Sequence, residues 1–296
     1  MTDEPTRVDV ESAGGVTLAV YEWRPDAPPH AIAQIVHGVG EYALRYRPLV
    51  DDLLAAGYVV YGHDHRGHGN TAPSESEFGV LGDDGWNRLV GDLGRVGELA
   101  TQRNPGLPLA MIAHSLGSFA AQQWLLDHSA DVTAVVLTGT AVIDLLEPAM
   151  DLDAPMDLSG FNAPFSPART EFDWLSRDDA QVDAYIADLR CGFGLDRPST
   201  RAMFEAARQL ADPSRVANMR SDLPVYIAVG ELDPVNAGLA LVEELVSRYD
   251  RAGLSDVTLR VWPGARHEVL NETNRNEVVA EIIGWLRERM PSEPIA

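Results

Sequence analysis

The sequence predicts an α/β protein, a mostly parallel sheet with helices on both faces, interrupted by one long helical insertion. Three observations lead there. Short apolar runs alternate with helically spaced segments over residues 31–137 and again over residues 225–289. Residues 144–213 between them hold helical patches and isolated aromatics but no convincing strand. An apolar run over Leu109–Ala113 meets a serine two residues on, and a helical pattern starts at once.

Each element follows from a local pattern. Val8 and Val10 alternate with polar residues, as do Val16, Leu18 and Val20, and Gly14-Gly15 between them reads as a β-hairpin. Ala31–Val36 is a continuous apolar run ending in His37-Gly38, a buried strand. Leu49, Val50, Leu53 and Leu54 share a helix face within Leu44–Ala56, and Gly57 ends that helix. Tyr58–Tyr61 is a second buried strand, and Leu89, Val90, Leu93, Val96 and Leu99 mark a helix over Trp86–Ala100. Leu109–Ala113 is a strand, Leu116–Leu126 a helix and Val132–Leu137 a strand. After the insertion come strand Val225–Val229, helix Ala237–Tyr249, strand Val257–Trp262 and helix Glu277–Arg289. The chain therefore divides into a discontinuous core, residues 1–143 and 214–296, with a helical insertion at residues 144–213 that is longer than an ordinary loop.

Composition bounds the function classes. The 296 residues are 45% hydrophobic and 23% charged, as in a globular protein with a sizeable core. A net charge of −22 repels phosphate backbones and disfavours docking on anionic headgroups, so nucleic acid is not an expected partner. No run of eighteen apolar residues occurs, and Met1–Pro5 lacks the basic start and apolar run of a signal peptide. Cys191 is the single cysteine, so no internal disulfide forms. These features point to a cytoplasmic protein without stable membrane insertion. The oligomeric state is open, with a homodimer among the options. All 23 basic residues are arginine, which excludes lysine nucleophiles and Schiff bases and reads as the bias of a GC-rich bacterial genome.

The stretch Leu109–Gly117 reads L-A-M-I-A-H-S-L-G. It has the form of a nucleophile elbow, a tight strand-to-helix turn that holds Ser115 clear of the sheet. Strand and helix crowd there, so small residues are needed two before and two after the serine. Gly117 meets the need, and Ala113 replaces the usual glycine, an intrusion expected to add slight strain. A serine nucleophile needs a base oriented by an acid, in the chain order Ser, Asp or Glu, His. Asp233 in G-E-L-D-P-V and His267 in P-G-A-R-H-E follow successive strand ends in that order. Both fall on the carboxyl side of the sheet, where open α/β sheets hold their sites. Glu231 competes with Asp233 but lies too close to its strand, and Asp256 and Glu268 are less suitably placed. For an oxyanion hole the backbone N–H groups of Leu116 and Val39 are the candidates, the latter in His37-Gly38-Val39-Gly40.

Other polar residues receive plainer readings. His63, Asp64, His65 and His68 have zinc-like density, but the tight Arg66-Gly67-His68-Gly69 turn favours a loop tied beneath the site, so no metal and no cofactor is expected. His114 is read as a packing residue directed away from the base, and Cys191 as an apolar filler.

With these motifs in place, the chain resembles the monoacylglycerol lipase and lysophospholipase branch of the α/β-hydrolases. The resemblance rests on His37–Glu41 (H-G-V-G-E), Gly62–Thr71 (G-H-D-H-R-G-H-G-N-T), A-H-S-L-G, G-E-L-D-P-V and Gly264–Glu272 (G-A-R-H-E-V-L-N-E). Phe172–Asp178 and Cys191–Phe193 in the insertion are similar to bacterial members. It implies an α/β-hydrolase fold with eight strands, a helical cap over the site, and hydrolysis of a carboxylic ester, often of one acyl chain. A small-molecule or lipid ester is the expected partner, with a neutral single-chain, monoacylglycerol-like ester favoured. An apolar yet acidic insertion (Asp151, Asp153, Asp157 and Glu171 among others) suits that choice. Lysophospholipase, acyltransferase and aminopeptidase-like amide hydrolase are alternatives with the same triad. An intact triad argues against a non-catalytic binding module, and Ser115 at the elbow argues against dehalogenase or epoxide hydrolase chemistry.

Overall fold

The computed structural model describes residues 4–290. Met1–Asp3, part of the segment read for a signal peptide, lie outside the described residues, as do residues 291–296. Eight strands form one sheet: β1 (Thr6–Glu11), β2 (Thr17–Trp23), β3 (Ala31–Val36), β4 (Tyr58–His63), β5 (Leu109–His114), β6 (Ala134–Thr138), β7 (Val225–Gly230) and β8 (Val257–Trp262). Their spatial order is β1-β2-β4-β3-β5-β6-β7-β8. β2 runs antiparallel to β1 and β4, and every other pairing is parallel. The central strands β3 to β7 are buried along their whole length, which is why they read as continuous apolar runs rather than alternating ones.

Helices cover both faces. α2 (Gly85–Arg103), α3 (Leu116–His128) and α7 (Ala240–Arg251) pack on one face, bringing Leu93, Leu125 and Leu245 against Ile32, Met111 and Ile227. α1 (Arg47–Ala55) and α8 (Arg275–Arg289) cover the other, with Leu53 and Ile282 against Ile35, Ile112 and Val136. Ile32 and Ile35 face opposite ways along one strand, the two-residue period that lets a single sheet serve two cores. The insertion contributes α4 (Asp179–Ala187), α5 (Arg197–Ala207) and several 3-10 turns; α6 (Pro213–Val216) begins on its last residue.

Three boundaries move, two of them for identifiable reasons. The helix expected over Leu44–Ala56 is a 3-10 turn at Ala43–Tyr46 followed by α1, because Pro48 lacks an N–H and suits only a first α turn. The helix expected from Ala237 starts at Ala240, since Ala237, Gly238 and Leu239 all have positive φ and the Asn236 carboxamide accepts the Leu239 N–H at 2.9 Å. The strand expected from Val132 starts at Ala134.

A buried ion pair ties the loop after β4 to α2. Arg66 Nε reaches Asp92 Oδ2 at 2.7 Å and its Nη2 reaches Ser12 Oγ at 2.8 Å, joining β4, α2 and the N-terminal hairpin. Removing one partner leaves a charge buried alone, so Asp92→Ala is expected to cost about 3–5 kcal/mol in urea denaturation. Removing the exposed pair of Arg7 and Asp9 by Arg7→Ala is expected to cost less than about 1 kcal/mol in the same measurement.

Candidate active site

The serine lies where β5 turns into α3. Ser115 has φ 50° and ψ −124°, a region that non-glycine residues adopt only when held there. Its N–H donates to the Thr138 carbonyl at 2.9 Å, and its own carbonyl accepts from Ser118 and Phe119 in the first turn of α3. The hydroxyl makes no capping hydrogen bond to the helix it precedes. Gly117 fits because a Cβ there would stand 2.4 Å from the His37 carbonyl oxygen and 2.5 Å from that of Val36. Ala113 sits between Val36 of β3 and Leu137 of β6 without loss of the turn.

Asp233 follows β7 and His267 follows β8. His267 Nδ1 donates to Asp233 Oδ2 at 2.9 Å, with both side chains buried. The other carboxylate oxygen of Asp233 accepts the Val235 N–H at 2.9 Å, so the acid cannot swing away from the imidazole. Burial opposes protonation of His267, but the Asp233 carboxylate outweighs it, and Glu268 and Glu41 add to the pull; the imidazole pKa lies above its ordinary 6.5. Glu231, the competing acid, is exposed and accepts from the Gly264 N–H, whereas the imidazole pairs with Asp233.

Ser115 opens on an apolar cavity shared with Val39, Leu116, Phe119 and Ile143 from the core and with Met150, Leu158, Phe161, Trp174 and Met203 from the insertion. Its volume is about 40 Å³, room for a few water molecules. Val39 and Leu116, whose N–H groups were the oxyanion candidates, thus flank the serine. The neighbouring Gly38 N–H is already engaged by Glu41 Oε1 at 2.5 Å, which leaves Val39 as the donor of that loop nearest the cavity.

Glu41 belongs to a buried charged cluster. Arg45 binds Glu268 through both terminal nitrogens, at 2.6 Å and 2.7 Å, and reaches Glu41 at 2.9 Å. The Tyr46 hydroxyl completes the shell of Glu41 at 2.7 Å. Burial raises the Glu41 carboxyl, whereas the Arg45 guanidinium overcomes burial at Glu268 and holds it at about 2. One arginine therefore links the loop after β3 to the residue that follows His267.

Residues 27–274 match the Hydrolase_4 family, described as serine aminopeptidase, S33. The chain belongs to this hydrolase family. It is 31% identical over 280 residues to a monoacylglycerol lipase of Mycolicibacterium smegmatis, covering 92% of this chain and 94% of that protein. A human monoglyceride lipase is 28% identical over 289 residues, covering 94% and 89% respectively. A thermostable carboxyl esterase from Bacillus coagulans shares the fold, with a TM-score of 0.85 at 24% identity over 97% of this chain and 99% of that one.

In this hydrolase, of the residues singled out from sequence, Val39, Ser115 and Leu116 share one cavity past β3 and β5, and Asp233 and His267 pair past β7 and β8, with Trp174 touching both groups. His114 departs from its expected place. Its ring lies 4.8 Å from that of His267, not directed away from it, and hydrogen bonds to Thr138 Oγ1. Burial depresses the His114 pKa to about 3, so a neutral ring, held by Thr138 Oγ1 at 3.0 Å, sits beside the base. Glu268, set aside as unsuitable for the acid, is the anchor of Arg45. The Arg45 cluster was not legible, since its members are dispersed in sequence; the E-Y-A-L-R spacing of Glu41 and Arg45 was the one available signal.

The histidine-rich turn ties the site from below. The His65 N–H donates to His37 Nε2 at 2.9 Å, so His37 Nδ1–H donates to the Gly38 carbonyl at 2.7 Å. His68 Nδ1 donates to the Arg66 carbonyl, and Asp64 accepts from Ala43, Asn70 and Tyr21. Among the described residues no three His, Cys, Asp or Glu side chains group as metal ligands. Burial pushes His63 and His68 from 6.5 down to about 4. Because these folded-state values are depressed, the unfolded chain takes up more protons between about pH 6.5 and 4. Their stabilisation is complete above that window and is lost as pH falls through it. Thermal melts from pH 7 to pH 4.5 should show a falling Tm, and His68→Gln, which keeps a donor but does not titrate, should flatten the decline.

Proposed function

We propose that this carboxylic ester hydrolase cleaves a neutral single-chain ester of monoacylglycerol type through an acyl-enzyme on Ser115. The observation that carries the reading is the buried His267–Asp233 pair beside a strained serine that opens on an apolar cavity. In the reaction, neutral His267 takes the Ser115 proton as Oγ attacks the ester carbonyl. The Val39 and Leu116 N–H groups receive the developing oxyanion. Protonated His267 then gives its proton to the leaving alcohol as the C–O bond breaks. Water, activated by the same imidazole, hydrolyses the acyl-enzyme and restores Ser115.

Residues 144–213 act in this reading as the cap, since they supply the apolar walls from Met150 to Met203. That lining suits one acyl chain, and each buried methylene contributes about 0.8 kcal/mol. The acidity of the insertion bears less on substrate choice than its sequence implied. Asp178 caps α4, Asp173 accepts the Arg169 N–H, Asp188 binds Tyr42 and Arg190, and Asp183 pairs with Arg169. The relatives named for monoacylglycerol and monoglyceride favour an ester over the amide of the family's description.

Ser115→Ala should fold normally and lose roughly 10⁴- to 10⁶-fold in kcat on glyceryl monoesters, together with labelling by a fluorophosphonate. Retained activity or labelling would reject the nucleophile.

The base must be neutral, and its pKa is raised, so kcat/KM should fall as pH drops through a value above 6.5. Asp233→Asn should lower kcat by about 10⁴ and move the acid limb down, because the carboxylate that raises the imidazole is gone. Glu231→Gln should leave both unchanged. The opposite pattern in a pH–rate series would reassign the acid.

A further inference from the structure

The segment Asp173–Arg177 of the insertion meets the loop that carries His267 along its whole length. The His267 N–H donates to the Trp174 carbonyl at 3.3 Å and the Glu268 N–H to the Leu175 carbonyl at 2.7 Å. Ser176 Oγ donates to the Asn271 carbonyl at 2.9 Å, and Arg177 Nε reaches the buried Glu272 carboxylate at 2.9 Å. Glu272 in turn accepts the Arg266 N–H at 2.8 Å, and the Arg266 guanidinium donates to the Asp173 and Ser176 carbonyls. The backbone of the base is thus held by the insertion.

Trp174 is where this brace meets the cavity. Its indole lines the cavity beside Ser115, and its ring centroid lies 4.9 Å from that of His267 at an angle of 41°. Its carbonyl is the acceptor for the His267 N–H. A cavity of about 40 Å³ is narrow for a medium-length acyl chain, and the indole that walls it packs at a tilt against the imidazole, so widening the cavity at Trp174 disturbs His267. We infer that Trp174 is a positioning residue that couples filling of the acyl cavity to the placement of His267, so that acyl length is read in kcat as well as in KM. The inference rests on the Ser115–His267 reading above.

The test uses the full chain and p-nitrophenyl esters from acetate to decanoate. Wild type should gain several-fold in kcat from acetate to octanoate. Trp174→Ala should lower kcat on octanoate at least tenfold and flatten that dependence. It should also move the acid limb upward, because water entering the site relieves the burial that opposes the charged imidazole, while Asp233, Glu268, Glu41 and His114 around it remain. Trp174→Phe should recover most of the loss. Ser176→Ala loosens the strip without touching the cavity and should lower kcat at unchanged KM; it decides the matter if Trp174→Ala fails to fold. A raised KM with kcat and acid limb unchanged in Trp174→Ala, or unaltered kinetics in Ser176→Ala, would make Trp174 a wall only and overturn the inference. Ser115→Ala on the same panel separates the two levels: residual wild-type activity there would remove the underlying triad, whereas an inactive Ser115→Ala with a KM-only Trp174→Ala removes the coupling alone.

Discussion

The close passage of the first turn of α3 over the end of β3 governs the geometry of the site. Gly117 brings its Cα against the carbonyls of Val36 and His37, and no side chain fits between them. That contact fixes the distance between the elbow and the loop after β3. It sets Val39 and Leu116 on either side of the same serine. It also obliges Ser115 to take a strained φ, since a relaxed residue would carry the chain past the sheet rather than into the helix. The strain is supported by the hydrogen bond to Thr138 and by two helix N–H groups on the Ser115 carbonyl.

Buried charge beside the site is held in small paired sets. A chain with a net charge of −22 and arginine as its sole cationic side chain places its buried guanidinium groups opposite paired carboxylate oxygens. Arg66 meets Asp92 beneath the site, and Arg45 meets Glu268 and Glu41 beside it. Such pairs contribute little net stability once desolvation is counted, but they fix orientation, because any displacement exposes a buried charge without its partner. Arg45 in particular sets the loop after β3 against the loop after β8. The Val39 loop and the His267 loop therefore share one reference point, although β3 and β8 lie apart in the sheet.

The core of the fold was legible because its signals are local. Continuous apolar runs marked β3 and β5 with their observed starts, and the L-A-M-I-A-H-S-L-G junction marked the serine. Asp233 and His267 were legible because residues just past parallel strand ends face one edge of the sheet. What remained hidden depends on contacts between distant segments. The approach of His114 to His267 is a contact between the end of β5 and the loop after β8, and residue type does not encode it. The start of α7 was misplaced because Asn236 binds the Leu239 N–H and prolongs the turn, an effect of one side chain on its own backbone. Glu268 looked ill-placed as an acid beside His267, and that position is what makes it an anchor for Arg45.

The insertion is the part where periodicity said least, and it is tied to the core at several levels. Asp144, its first residue, is held by Arg248 of α7 through both carboxylate oxygens at 2.9 Å, and the same guanidinium binds the Leu210 carbonyl near its end. Between those anchors, the Phe172–Asp178 motif forms a turn, with the Leu175 N–H on the Phe172 carbonyl, and offers its Trp174 and Leu175 carbonyls to the loop of His267. A segment that is irregular by pattern is thus ordered by hydrogen bonds to a partner far along the chain. Trp174 of the same strip walls the cavity over Ser115 and packs against His267, so the cavity and the His267 loop share one stretch of chain. Variation in such an insertion is constrained on its inner edge. Along that strip Trp174 walls the pocket, the Trp174 and Leu175 carbonyls hold His267 and Glu268, Ser176 reaches the Asn271 carbonyl and Arg177 meets Glu272, while Met203 of α5 closes the same pocket from the helical part.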